Sequence, residues 1–396
     1  MKILLVSDDD APEGGAQIVT RQLRDGLRAR GHETRWFASS GRPRDAARLA
    51  DVECFGTTGP LRTLVQSANP AAYVKLRREI NAFKPDVVHV GLFLTQLSPL
   101  ILPLLRDVPS VYYAHWLRTI CPTGSKLLPD DATCANRAGI ACLTNRCLSP
   151  SAWPALMTQA RMLRRWQHCF SRVVANSWAT REALEREGFP VSDVIPCGVA
   201  SAPLTTALAT NPTAIFSGRL IRQKGLHLLL NVWSSVVNEI PAARLLVVGD
   251  GPERVHLERN APSNVVFLGQ LAQEDLHRLA REAWVQVVPS IGFESFGLVA
   301  AEAMMRGQAV LASRIGGLPE LFDAVSTGVL VEPRNSEALR RSLCTLLQDR
   351  TLCQRIGANA QRHALNHFTI DLHTDRFVEL YRTLCDTTRN TNRIPL

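Results

Sequence analysis

No stretch of this 396-residue chain approaches the roughly 20 consecutive apolar residues that a membrane-spanning helix needs. Lys2-Ile3-Leu4-Leu5-Val6 resembles the start of a secretory leader, but Ser7-Asp8-Asp9-Asp10 ends the apolar region far too early. The same residues make a better first strand of a parallel sheet. The expected location is therefore the cytoplasm, with peripheral attachment to the inner face of the cytoplasmic membrane as a variant. The ten cysteines are expected to be reduced there. Also missing are a Lys/Arg tail and a basic stripe interleaved with aromatics. Lysine and arginine exceed aspartate and glutamate by 45 to 36, a net of +9, but the excess is scattered, so nucleic acid is set aside as a partner. Glycines at the one-three-six spacing of a dinucleotide fingerprint are absent, which argues against a nicotinamide cofactor. No Cys–His or Ser–His–Asp order points to hydrolysis. Beyond Lys126 the chain has one lysine, Lys224, which leaves little for a pyridoxal Schiff base.

What is present describes a globular α/β protein. Apolar residues make up 46% and charged residues 20%, and the length suits two domains rather than one core. Apolar runs at 3–7, 32–37, 85–90, 109–115, 171–177 and 194–199 predict a first set of strands, with a helix carrying Ile18, Val19, Leu23 and Leu27 on one face. Residues 200–212, rich in Ala, Thr and Pro, predict a linker. Strands are then expected at 213–217, 244–249, 265–268, 284–288, 309–312 and 328–331, a second parallel α/β domain. The expected division is 1–199 with a Cys-rich insertion at 117–150, then 213–370, and last 371–396 as a helix and polar tail. Phe377, Val378, Leu380 and Tyr381 are spaced along that helix.

The most informative run is Pro289–Met304, in which a strand end leads through Glu294-Ser295-Phe296-Gly297 into a helix carrying Glu302. The first turn of a helix offers free N–H groups to an anion, while carboxylates beside it can hold hydroxyls. A ligand charged in the middle and polyol at its ends, such as a nucleotide sugar, fits that pattern. A helix cap for Glu294 and a salt bridge for Glu302 are the structural alternatives. Arg219 and Lys224 follow strand 213–217 and can grip a diphosphate, or stand in a solvated loop. Gly14-Gly15 sits between the first strand and first helix, either for close backbone approach to phosphate or sugar, or as an ordinary turn. His115 ends an apolar strand, where it can touch the transferred sugar or acceptor as a near-neutral imidazole, or act as a structural hydrogen-bonder. Helix 155–168 interleaves Arg161, Arg164 and Arg165 with Leu156, Met157, Met162, Leu163 and Trp166. That is ordinary packing with a basic outer face, or an amphipathic segment for an anionic membrane.

Cys121, Cys134, Cys142 and Cys147 fall in one Gly/Pro/Asn-rich stretch, at separations of 13, 8 and 5 positions without a tight knuckle. Free thiols of a lipid- or partner-facing insertion are the leading reading, with structural zinc and disulfides behind it, and no metal is expected in the site itself. The other six cysteines read as small core residues.

The order of these motifs resembles that of the retaining, nucleotide-sugar-dependent glycosyltransferase family 4. Glu294-Ser295-Phe296-Gly297 with Glu302, Ser217-Gly218-Arg219 with Lys224-Gly225, and Val248-Gly249-Asp250-Gly251-Pro252 carry the resemblance. So do Asn264–Gly269, Pro12–Gly15, Arg30–Glu33 and Gly316–Glu320. It implies two Rossmann-like domains facing a cleft, the GT-B arrangement, with the donor held mainly by the second and the last helix returning to the first. By resemblance Arg219 and Lys224 grip the diphosphate, Glu302 the ribose and Glu294 the sugar hydroxyls. Backbone amides of Phe296, Gly297 and Leu298 line the sugar and phosphate, Phe267–Leu271 the base. Gly14 and Gly15 approach the diphosphate, and His115 lies by the sugar. The implied reaction is transfer of a hexose from a nucleoside diphosphate sugar, UDP favoured over GDP, to a saccharide or lipid-linked saccharide, with no cofactor. A soluble natural-product acceptor and a catalytically silent nucleotide-sugar-binding scaffold are the alternatives. The loop from Cys121-Pro122 to Cys147 resembles a cysteine-bearing subgroup, yet His115-Trp116 stands where that subgroup has His-Asp. Trp116 is then a candidate to stack on an acceptor. Gly198-Val199-Ala200 likewise departs from a frequent Gly-Val-Asp.

Overall fold

The computed structural model describes residues 1–11, 14–41, 48–204, 208–323 and 326–391. Pro12 and Glu13, part of the expected linker and the last residues of the tail lie outside them. The chain divides into two units, Met1–Gly198 with the segment from Ile370 onward, and Val199–Thr369.

The first unit is a seven-stranded sheet of β1 (Lys2–Val6), β2 (Glu33–Ser39), β3 (Val52–Cys54), β4 (Val87–Val90), β5 (Ser110–Ala114), β6 (Arg172–Ala175) and β7 (Asp193–Val194). The spatial order is 3-2-1-4-5-6-7, and every pairing is parallel. The central strands are buried along their length, as runs such as Val87-Val88 require of a sheet covered on both faces. β3 is a short edge strand that the apolar runs did not announce. The strand expected at 194–199 shrinks to two residues, since Pro196 cannot donate to the ladder.

Helix Gly15–Ala29 buries Val19, Leu23 and Leu27. It ends in a Schellman turn: Gly31 at φ +77 donates to the Arg28 carbonyl and His32 to that of Leu27. The closing helix, Ile370–Thr391, packs on this first helix where Gly26 leaves room for Thr374, and Arg30 reaches Asp375 at 2.6 Å. Its Tyr381 hydroxyl meets His89 Nδ1 of β4 at 2.7 Å.

The second unit has six parallel strands, β8 (Thr213–Ser217), β9 (Arg244–Val248), β10 (Val265–Gly269), β11 (Val285–Val288), β12 (Ala309–Ser313) and β13 (Val329–Val331), in the order 10-9-8-11-12-13. Leu226, Leu229 and Trp233 of helix Leu226–Glu239 fill one side of its core. Helices Ser336–Gln348 and Arg350–His367 follow, each started by a side-chain cap, Asn335 accepting from the Ala338 N–H and Asp349 from that of Leu352. Both sheets are doubly wound, with the strand order reversing between β1 and β4 and between β8 and β11. Such a reversal opens a crevice at the carboxyl ends of the two strands. Among the described residues no helix is long and apolar enough to cross a membrane.

Candidate functional site

In the second unit the expected residues flank that reversal. Arg219 and Lys224 leave β8, while Glu294 leaves β11. The loops are fastened by Gln223, whose carbonyl accepts the N–H groups of Ile291 at 2.9 Å and Gly292 at 3.0 Å. Gly225 makes this possible: its φ is +71, and a Cβ there would stand 1.9 Å from the Pro289 carbonyl oxygen. The result puts Lys224 Nζ 2.6 Å from Glu294 Oε1. Ser290, fully buried, donates its hydroxyl to the same oxygen at 2.6 Å. On the far side Gly316, at φ +58, lets its loop lie on the Glu294 backbone, where the Gly317 N–H donates to the Glu294 carbonyl at 2.7 Å. Glu294 is thus held from both sides and is no helix cap. Changing Gly225 to alanine combines a left-handed backbone with a clash against main chain. It is expected to destabilise the fold by more than about 2 kcal/mol, read from urea unfolding of the full chain.

Helix Leu298–Met305 begins at Gly297 in a left-handed conformation, with no side-chain cap and no acidic residue in its first turn. Its first amides therefore remain open to an anion. The Phe296 side chain is buried edge-to-face on Phe368, so Phe296 offers its backbone alone. The helix is apolar nearly all round, and Glu302 is the exception. Burial pushes the Glu302 carboxyl above its ordinary range, against a smaller downward pull from Arg306 one turn on. Arg306 is itself buried, which pushes it below the usual guanidinium range, and its Nε has no partner among the described residues. No hydrogen bond to the Glu302 carboxylate is made among the described residues. A hydroxyl-bearing ligand would supply one. Arg219 is exposed, whereas Phe267 packs on the core and Leu271 packs on the small cluster of Ile215, Val248, Ala280 and Ala283.

In the first unit Gly14 is the extended residue before helix Gly15–Ala29, again without a side-chain cap or an acid in the first turn. His115 follows β5. Its ring lies edge-on to Tyr113 with centroids 4.5 Å apart, and its buried Nε2 has no partner among the described residues. Burial, helped by nearby His373, brings the imidazole down to about 3, so it is neutral at ordinary pH. Sequence reasoning missed its surroundings. His373 and His89 are also buried and neutral, joined through Tyr113, Phe377 and Tyr381. It also read Asp8 only as the end of an apolar run. Asp8 is fully buried and accepts the N–H groups of Thr95, Gln96 and Leu97 at 2.7–3.0 Å, anchoring the loop after β4. An acid directly after a first strand was the available signal.

The insertion holds itself by a hairpin bridge, Leu127 to Thr133, and by Lys126, which pairs with Glu187 at 2.7 Å. Trp153 donates from its indole to the Gly139 carbonyl at 2.9 Å. All four cysteines of the insertion are half-buried and free, and they line one cavity of about 20 Å³. Cys142 and Cys147 enclose four residues, so this one pair does have the wide form of the Cys-x2–4-Cys knuckle, contrary to the expectation of no tight knuckle. Among the described residues, no group of three or more His, Cys, Asp or Glu could hold a metal ion. The remaining six cysteines are buried. Trp116 is engaged by the Arg118 guanidinium at 5.5 Å and by Gly124, whose added Cβ would lie 3.3 Å from the indole.

Residues 13–202 match the family model Glycosyltransferase Family 4, and residues 206–363 match Glycosyl transferases group 1. The phosphatidyl-myo-inositol mannosyltransferase of Mycobacterium leprae is 31% identical over 234 residues, 56% of this chain and 62% of that protein. The chain spans less than two thirds of the curated relatives it first matches, from 29% to 62% of their length. Among solved structures, sucrose-phosphate synthase from Thermosynechococcus elongatus superposes with a TM-score of 0.74 at 24% identity, covering 98% of this chain and 100% of that one. Anabaena HepE in complex with UDP-glucose gives 0.68 at 21% identity, covering 97% and 100%. The chain thus has the GT-B fold of two Rossmann-like units, its first unit matched by the Glycosyltransferase Family 4 model and its second by the Glycosyl transferases group 1 model.

Proposed function

We propose that the chain is a retaining glycosyltransferase. It moves a hexose of glucose, mannose or N-acetylhexosamine type from a nucleoside diphosphate sugar to a hydroxyl of a saccharide or lipid-linked saccharide. One observation carries the reading: Lys224 and Glu294 meet at the β8/β11 reversal beside an uncapped helix N-terminus, with Glu302, unbonded among the described residues, one turn further on. In the free chain the ammonium neutralises Glu294. A donor diphosphate gives Lys224 and Arg219 a new anionic partner and frees Glu294 for sugar hydroxyls, while Ser290 keeps the carboxylate in place. The ribose hydroxyls go to Glu302. As the glycosidic bond breaks, charge gathers on the diphosphate, and the two cations with the open amides stabilise it. Retention needs no pair of glycosidase carboxylates. The leaving phosphate stays on the face from which the acceptor attacks and takes its proton.

UDP is the favoured nucleotide, a choice supported by the UDP-glucose in the similarly folded Anabaena protein. The lipid-linked acceptor draws support from the name of the mycobacterial relative. The cysteine loop after His115 supports a further assignment, to a cysteine-bearing subgroup of the family. A donor-by-acceptor screen read by mass spectrometry, followed by NMR of the product, tests all of this. The expected product keeps the anomeric configuration of the donor sugar. An inverted centre refutes the mechanism, and tight nucleotide binding with no turnover on any donor points to a silent scaffold.

A further inference from the structure

Two segments of the first unit contain no acidic residue at all, 54–78 and 132–181, yet together they hold eleven lysines and arginines. They fold against each other. Helix Arg62–Ser67 packs on helix Trp153–Trp166, with Ser67 Oγ donating to the Ala155 carbonyl at 2.9 Å and Gln159 Nε2 to the Gln66 carbonyl. The apolar stripe of the longer helix is not available to a membrane, because Leu156, Met157 and Leu163 are buried in the unit. Its outward side carries Arg161, Arg164 and Arg165, and among the described residues none of them makes an ion pair. The exposed apolar residues lie instead on the shorter helix and the loop before it. Phe55 is 54% exposed, Leu61 60% and Leu64 62%, with Arg62 exposed between the leucines.

We infer that the face built from residues 55–64 and the outward side of helix Trp153–Trp166 docks on an anionic lipid bilayer. Aliphatic and aromatic tips without a groove around them gain by entering the headgroup–acyl boundary. Arginines that make no ion pair among the described residues, on a segment without acids, gain from lipid phosphates, which guanidinium groups bind as forks. A nucleic acid would use the charge but not the leucines, and an apolar protein surface the reverse. The inference deepens the lipid-linked-acceptor reading and rests on it for its purpose.

The test is sedimentation of the full-length protein with vesicles of phosphatidylcholine alone and of phosphatidylcholine mixed with phosphatidylglycerol. Binding is expected only to the anionic vesicles, weakening as salt rises. The triple change R161Q/R164Q/R165Q should weaken it on the order of 100-fold, at about fivefold per arginine. The pair L61S/L64S should weaken it roughly tenfold while leaving the salt response in place. All five positions are exposed or half-exposed, and circular dichroism checks the fold. Equal binding to both vesicle types, or no loss in either variant, overturns the inference. Heparin binding that matches vesicle binding and ignores the leucine pair assigns the face to soluble polyanions and overturns it too. Calorimetry with UDP-glucose on the same samples separates the two readings. Retained nucleotide binding without vesicle binding strikes the docking face alone, and the opposite outcome strikes the transferase reading.

Discussion

Replacing Lys224 by alanine is expected to lower kcat by on the order of 10³-fold with a much smaller change in KM, in a protein that still folds. The size follows from when the ammonium is needed. In the free chain it faces Glu294 at 2.6 Å, a partly exposed pair, with the lysine side chain at 30% of its full exposure, so its loss costs little stability. Glu294 then keeps the Ser290 hydroxyl and one less cation, which the backbone clasp at Gly317 tolerates. In the transition state of the proposed transfer the leaving diphosphate gathers charge, and no other lysine follows Lys126 in the chain to take over. Arg219→Ala should act in the same direction but less steeply, because Arg219 is exposed and not held by a partner loop. Steady-state kinetics with the screened donor and acceptor decide the matter. A Lys224→Ala enzyme with near-normal kcat and only a raised KM would mean that the lysine serves ground-state binding. A variant that fails to fold would make Lys224 a structural residue of the 223–225 clasp.

Most of the second sheet could be read from the sequence because its strands are short apolar runs bounded by Gly, Pro and Asp, and its strand ends carry the chemistry. The run Thr213–Ser217 is a strand over its whole expected length. The reversal between β8 and β11 could not be read, since strand order is a property of pairing between residues some 70 positions apart. It is what turns two separate motifs, Arg219/Lys224 and Glu294/Glu302, into one crevice. Gln223 was invisible for the same reason, since its value lies in a carbonyl that accepts from a loop nearly 70 positions away. Ser290 was invisible because a serine carries no periodicity and its bond to Glu294 depends on how the loop folds back on itself. The basic amphipathic helix shows the opposite failure. Its pattern is as consistent with a membrane as with a core, and only packing on helix Arg62–Ser67 decides that the apolar side faces inward. The buried histidines escaped notice because His89 lies inside an apolar strand and His373 lies in the closing helix, far apart in sequence.

Changing Glu302 to glutamine is expected to weaken nucleotide binding by roughly 10- to 100-fold while making the ligand-free protein more stable at neutral pH. The first effect is the loss of charge-assisted hydrogen bonds from the ribose hydroxyls. The second follows from the direction of the carboxyl shift. Burial raises the Glu302 value in the folded chain above its ordinary 4.5, and Arg306 offsets only part of that rise. A carboxyl raised by folding favours the native state below its unfolded value, and this contribution is lost as pH climbs through the folded value. At neutral pH the wild-type chain therefore carries an ionised group in a place that disfavours it, and glutamine, shaped like the protonated acid, does not. The rival effect is Arg306, which is buried and keeps a positive charge that Glu302 helps to balance. Desolvation wins in this balance because the net shift of Glu302 is upward even with Arg306 in place. Thermal unfolding of both proteins, with and without UDP, across the range from the ordinary carboxylate value to neutrality is the measurement. The stability gap should open as pH rises and close, or reverse, when saturating nucleotide supplies hydroxyls to the wild-type carboxylate. A glutamine variant less stable than wild type at neutral pH would show that Glu302 is the buried counter-ion of Arg306 first, and the ribose ligand reading would lose its physical basis.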